Sequence, residues 1–138
     1  MNRNELLFVY GTLRRGFANP VRNVLEEHAS LLSPASLRGK LYEIDGYPGV
    51  ILSKDPDDLV YGEVYIIKNR EVLFAILDNY EESSEDYPHP QEYERKKVLV
   101  TLINGEKKAA WAYLYNWKVN GRVRIYSGDY LKYREELG

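Results

Sequence analysis

The sequence predicts an α+β fold in which short strands form a closed or nearly closed sheet, with a few helices packed outside it. Three observations lead there. Runs rich in β-branched and aromatic residues, bounded by turn signals, recur at 6–10, 37–44, 60–67, 94–103 and 106–115. Helical periodicity is confined to three short stretches. Thirteen tyrosines stand against three phenylalanines; tyrosine suits strands and half-buried pockets, where an apolar ring ends in a hydroxyl that finds a partner.

Each element has a local cause. Leu6 to Tyr10 is an unbroken apolar run, the pattern of a buried strand. Asn19-Pro20 reads as N-cap and first helical position, opening a short helix with Val21, Val24 and Leu25 on one side. Strands at Leu37–Ile44 and Val60–Ile67 are separated by a Gly46-Tyr47-Pro48-Gly49 turn and a polar Asp55-Pro56-Asp57-Asp58 loop. Asn69 caps the clearest helix, Arg70 to Tyr80, where Val72, Leu73, Ile76, Leu77 and Tyr80 recur at three- and four-residue steps. Glu81 to Glu92, with two prolines, two serines and several acids, is a long loop, and loops of that length in compact domains are commonly functional or mobile.

Asn104-Gly105 predicts a two-residue type I′ hairpin. Ile103 then pairs with Glu106, Val98 faces Trp111, Val100 faces Ala109, and Glu94 faces Tyr115. On that count Val98, Val100, Leu102, Trp111, Tyr113 and Tyr115 share the core side. Ser127-Gly128-Asp129 leads into a short terminal helix, Tyr130 to Leu137. No repeat, low-complexity tract or linker interrupts the chain, so residues 1–138 are expected to form a single domain.

Composition excludes several kinds of function. The chain is 44% hydrophobic and 29% charged, as expected of a globular protein with a core. It has no cysteine, so thiolate nucleophiles, disulfides and cysteine metal sites are excluded. His28 and His89 carry no metal-ligand spacing, and neither a G-x-S-x-G elbow nor a phosphate loop occurs. No metal ion or cofactor is expected. A net charge of −2 supplies no field for nucleic acid. The apolar stretch Leu6-Leu7-Phe8-Val9 is too short for a signal peptide, and nothing approaches a membrane span. A cytoplasmic protein with neither nucleic-acid nor membrane partner is expected; its oligomeric state is left open.

Carboxylates remain as candidate chemistry. Glu81 follows Leu77 by four residues at the end of the apolar helix face, where it can point inward as surface acids do not. Asp78 is one turn back and Glu82 adjacent; crowded, partly buried acids resist ionisation, which can bring one of them near neutrality as a general base. Taken alone, the stretch fits a helix end fraying into an acidic loop even better. A second candidate is Val9-Tyr10-Gly11-Thr12-Leu13, followed by Arg14-Arg15-Gly16. Either Gly11 merely reverses the chain, or the backbone N–H groups of Gly11, Thr12 and Leu13 face an anion.

Several segments in this order and spacing carry a resemblance. They are Tyr10-Gly11-Thr12-Leu13 with Arg15-Gly16 and Asn19, Gly46-Tyr47-Pro48-Gly49, Gly62-Glu63-Val64-Tyr65, Leu77-Asp78-Asn79-Tyr80-Glu81, Tyr93-Glu94-Arg95, Ala112-Tyr113-Leu114-Tyr115 and Ser127-Gly128-Asp129-Tyr130. Over about Leu6 to Tyr130 the chain resembles the γ-glutamylcyclotransferase-like family, most closely its small γ-glutamylamine cyclotransferase branch. The resemblance implies a small mixed β-barrel with helices outside and a pocket at one end. It implies cleavage of a γ-glutamyl amine or peptide by attack of its α-amine on its own γ-carbonyl, releasing 5-oxoproline and a free amine.

The glutamate of the family's L-D-x-x-E stretch is the general base, which maps onto Glu81. The resemblance further implies that the backbone of Gly11, Thr12 and Leu13 cradles the substrate's carboxylate and that Tyr10 and Tyr115 line the pocket. The family commonly has glycine where this chain has Glu82, which makes Glu82 the fallback base. It also keeps a second expectation open, a non-catalytic γ-glutamyl or amino-acid binding protein on the same fold.

Overall fold

The computed structural model describes residues 5–11, 20–80 and 92–137. In chain order these form β1 (Leu6–Val9), α1 (Pro20–His28), β2 (Ala29–Ile44), β3 (Tyr47–Leu52), β4 (Leu59–Ile67), α2 (Arg70–Tyr80), β5 (Tyr93–Leu102), β6 (Lys107–Tyr115), β7 (Val123–Arg124) and α3 (Tyr130–Leu137). The sheet runs β3-β2-β4-β1-β6-β5, and β5 pairs back onto β2 at Ala35–Leu37. Five strands therefore close into a barrel, mixed because β1 and β6 run parallel. Closure removes the free edges that an open sheet of this size would expose. The expected closed sheet with helices outside is the fold the chain adopts. Among the described residues no helix is long and apolar enough to cross a membrane.

β1 explains why the barrel needs helices outside it. Its four residues are all buried, with Leu6 and Phe8 packed inside the barrel and Leu7 and Val9 on its outer wall. A strand buried on both faces reads as a continuous apolar run and needs a second layer. α1 and α2 supply that layer: Leu25, Leu73, Phe74 and Leu77 cover Leu7, Val9, Tyr65, Ile67 and Tyr113. The face of α2 is centred on Leu73, Phe74 and Leu77, and Val72 lies at its exposed rim. Burying such side chains contributes about 1.5–3 kcal/mol each.

Both hairpins depart from their expected turns. At 103–105 the loop has three residues: Leu102 N–H donates to Glu106 O, Gly105 N–H donates back to Leu102 O, and only Gly105 takes a positive φ, 92°. This is a type I turn followed by a left-handed glycine, not the two-residue type I′ turn. The extra residue shifts the register by one. Tyr93 rather than Glu94 lies opposite Tyr115, and Val98 pairs with Ala110. A one-residue shift exchanges the faces. Val98, Val100 and Leu102 therefore point into the barrel with Ala110, Ala112 and Leu114, while Trp111 and Tyr113 face outward beneath α2; Tyr115, expected on the core side with Val98, shares their face instead and packs with Ile44 and Tyr93.

The two-residue type I′ turn is instead Asp45-Gly46, with φ of 51° and 91°. It joins Ile44 to Tyr47 in register, so Tyr47-Pro48-Gly49 opens strand β3 rather than forming a turn. Pro48 fits there because β3 lies at the edge of the sheet order, where a missing N–H costs least. β2 begins eight residues before the predicted Leu37, with a bulge between Leu31 and Ser33.

Candidate active site

One end of the barrel gathers the described site candidates. β1 and β6 are parallel with Leu7 opposite Trp111, and counting along that register brings Val9 level with Tyr113 and Gly11 level with Tyr115. Tyr10 is buried, and its hydroxyl donates to the Tyr113 carbonyl. Gly11 follows directly, half-buried.

β3 closes the other side of this end. A Cβ built on Gly11 would lie 2.6 Å from Pro48 Cγ, and one on Gly49 would lie 3.0 Å from Tyr115 Cβ. Gly11 does not take a positive φ, so close approach, not a left-handed backbone, is what requires glycine there. Tyr115 is buried with Ile44 and Tyr93, its ring edge-on to that of Tyr93 at 5.4 Å. Tyr93 Oη donates to the Pro48 carbonyl at 2.8 Å, which fastens β3 across the barrel mouth.

α2 reaches the same end from outside. Asp78, in its last turn, accepts hydrogen bonds from Tyr113 Oη at 2.6 Å and from Arg95 Nη1 at 3.1 Å. Arg95 and Tyr113 are direct neighbours across β5 and β6. The Arg95 guanidinium also stacks on the Phe74 ring at 3.9 Å. Asp78 is thus engaged with the barrel wall. The helix is described as far as Tyr80. Glu81, Glu82, Thr12 and Leu13 lie outside the described residues.

Charge is arranged around the rim. Arg122 Nη1 donates to Asp45 Oδ1 at 2.8 Å, beside the β2–β3 turn. That bond, with the Asp45 charge and a smaller influence of Tyr115, holds the Arg122 guanidinium above its usual pKa. Tyr130, from α3, plugs the barrel interior and donates to the Gly46 carbonyl at 2.9 Å. Burial, and then the nearby Glu43 charge, push its phenol up to about 12, so it stays a neutral donor throughout the physiological range. Among the described residues no three histidine, cysteine or acidic side chains converge as metal ligands would.

Sequence reasoning singled out Tyr10, Gly11 and Tyr115, and the structure brings all three to this end. It gave no site role to Pro48, Tyr93, Arg95 or Tyr113, although all four stand in segments that carry the resemblance. Tyr113 and Tyr93 carried a weak signal in the excess of tyrosine. The contact of Pro48 with Gly11 carried none, because it depends on a hairpin register that the turn pattern misassigns.

Comparison with known proteins places this geometry in a family. The profile described as "Gamma-glutamyl cyclotransferase, AIG2-like" matches residues 7–132. The Gamma-glutamylcyclotransferase family protein YtfP of Escherichia coli is 32% identical over 126 residues, covering 91% of this chain and 95% of that protein. Gamma-glutamylaminecyclotransferase A of Danio rerio is 28% identical over 122 residues, covering 80% and 67%. The crystal structure of YkqA from Bacillus subtilis superposes with a TM-score of 0.72 at 29% identity, over 98% of this chain and 42% of that one. The first two relatives differ in the substrate their names give, and their identities to this chain are close, so the assignment holds for the family and not for a branch. The chain belongs to the γ-glutamylcyclotransferase-like family.

Proposed function

We propose that the protein is a cyclotransferase that converts a γ-glutamyl amine or peptide into 5-oxoproline and a free amine. The observation that carries this reading is the family match through both Tyr10-Gly11-Thr12-Leu13 and Leu77-Asp78-Asn79-Tyr80-Glu81. It is supported by the way Tyr113 links the end of β1 to the last turn of α2.

In this reading the substrate's α-ammonium gives a proton to Glu81. The freed amine attacks the γ-carbonyl, forming the ring C–N bond. The γ-C–N bond to the leaving amine then breaks as the proton held by Glu81 passes to the departing nitrogen; the ring nitrogen gives its second proton to the freed Glu81 carboxylate, which releases it to solvent. The attack is intramolecular, so holding amine against carbonyl supplies much of the acceleration with no covalent enzyme intermediate. Backbone N–H groups of Gly11, Thr12 and Leu13 hold the α-carboxylate, as charge-assisted donors do, and Tyr10 and Tyr115 bound the pocket. The reaction takes place in the cytoplasm and needs neither metal nor cofactor.

Incubation of the purified protein with γ-glutamyl amino acids, γ-glutamyl amines and γ-glutamyl-ε-lysine, followed by assay of 5-oxoproline, tests the reading. Release from at least one compound is expected, unchanged by a chelator. A folded protein silent across the whole panel would favour the non-catalytic binding reading, to which the Glu82 replacement already gives a specific motive.

A further inference from the structure

We propose that Tyr113 is a positioning residue that locks the end of β1, at Tyr10 and Gly11, to the last turn of α2, the two elements that the proposed carboxylate cradle and base follow in sequence. This rests on the reading of the Gly11 turn as carboxylate cradle and of Glu81 as base. Tyr113 acts through both its ends. Its carbonyl accepts from Tyr10 Oη, one residue before Gly11, and its own hydroxyl donates to Asp78 Oδ1 at 2.6 Å, three residues before Glu81. Its ring is buried on the outer wall between these partners, among Val9, Leu73 and Leu77.

Asp78 makes the link directional. A carboxylate in the last turn of a helix meets the negative end of the helix dipole, and no basic residue of α2 lies in that turn. The compensating donors come from the barrel wall instead, Tyr113 on β6 and Arg95 on β5. Donors from two adjacent strands fix both the height and the rotation of the helix end, which a single bond would leave free. Arg95 is itself held by stacking on Phe74, one turn earlier in the same helix. An intramolecular ring closure depends steeply on where the base and the carboxylate cradle stand relative to each other.

The experiment compares steady-state 5-oxoproline release and thermal unfolding of wild type, Tyr113→Phe, Asp78→Asn and the double variant. Tyr113→Phe keeps the ring, the packing and the carbonyl, and removes the hydroxyl that donates to Asp78. The expected result is a fall in kcat of about tenfold to a hundredfold, with KM changed less than about threefold and the melting temperature close to wild type. The double variant is expected to be no worse than Asp78→Asn, because both changes break one link. Tyr113→Phe with wild-type kcat overturns the proposal, as does a variant that loses stability while its folded fraction keeps full kcat. Wild-type protein silent toward every γ-glutamyl compound overturns the cyclotransferase reading, and this inference with it. An active wild type beside an unaltered Tyr113→Phe overturns this inference alone.

Discussion

A Cβ at Gly11 would stand 2.6 Å from Pro48 Cγ, a ring atom of an edge strand with little room to retreat. The residue entering the proposed cradle is therefore constrained by a neighbour and not by its own backbone angle. Gly11→Ala is expected to cost about 1–3 kcal/mol by overpacking and to raise KM, as read by urea unfolding and steady-state kinetics. The double variant Gly11→Ala/Pro48→Ala should recover most of both losses. Gly11→Ala at wild-type stability would remove β3 from this contact. Thr12→Ser should be nearly silent in KM, since the proposed cradle would use backbone donors; a large rise would give the Thr12 side chain a role. The residues before and after Gly11 were legible as a motif, whereas the constraint from Pro48 was not, because it arises only once Asp45-Gly46 has turned β3 back along β2.

At the scale of elements, legibility followed the strength of the local pattern. α2 and α3 begin where their periodicity and flanking residues predict, at Arg70 and Tyr130, and are described as far as Tyr80 and Leu137. The first half of β2 did not announce itself, because Ser30, Ser33, Pro34 and Ser36 read as loop chemistry. Pairing with β4, and from Ala35 also with β5, overrides that weak preference. Asn104-Gly105 was recognised as a turn of the wrong length, and the single added residue reassigned every side chain of β6. Gly105→Ala should cost about 1–2 kcal/mol, since an alanine would have to adopt the left-handed region; an unchanged unfolding free energy would contradict the φ of 92°.

The C-terminal segment offers a pH test at this same scale. Arg124 of β7 donates to Asp58 Oδ1 at 2.6 Å, and Ser53 donates to the other oxygen at 2.7 Å. These hydrogen bonds, Ser53 first and Arg124 second, hold the Asp58 carboxyl below its usual 3.8. The unfolded chain therefore takes up this proton first, and the stabilisation is complete above the ordinary value and lost as pH falls through the folded one. Asp58→Asn should be less stable than wild type at neutral pH, with the gap narrowing as pH drops below about 4. A gap that is constant with pH would mean that the carboxylate charge contributes nothing to holding β7.

For the whole molecule, closure of the barrel turns separate sequence motifs into one end of a structure. The alternation of apolar runs and turns was enough to foresee a closed sheet with helices outside. β1 was legible as a buried strand; what stayed concealed was that β6 is also buried on both faces, since Ala110 and Ala112 fill the interior while Trp111 and Tyr113 meet the helices. Their parallel pairing brings Gly11 beside Tyr115, and Asp78 anchors the helix that leads to Glu81. The most direct test of the central claim is 5-oxoproline release by Glu81→Gln, with substrate binding measured alongside by calorimetry. Turnover should fall by about a hundredfold or more while binding persists, because the amide keeps the shape but cannot take the proton. A fully active Glu81→Gln would contradict the account, and if Glu82→Gln were then inactive, the base would stand one residue further along the chain.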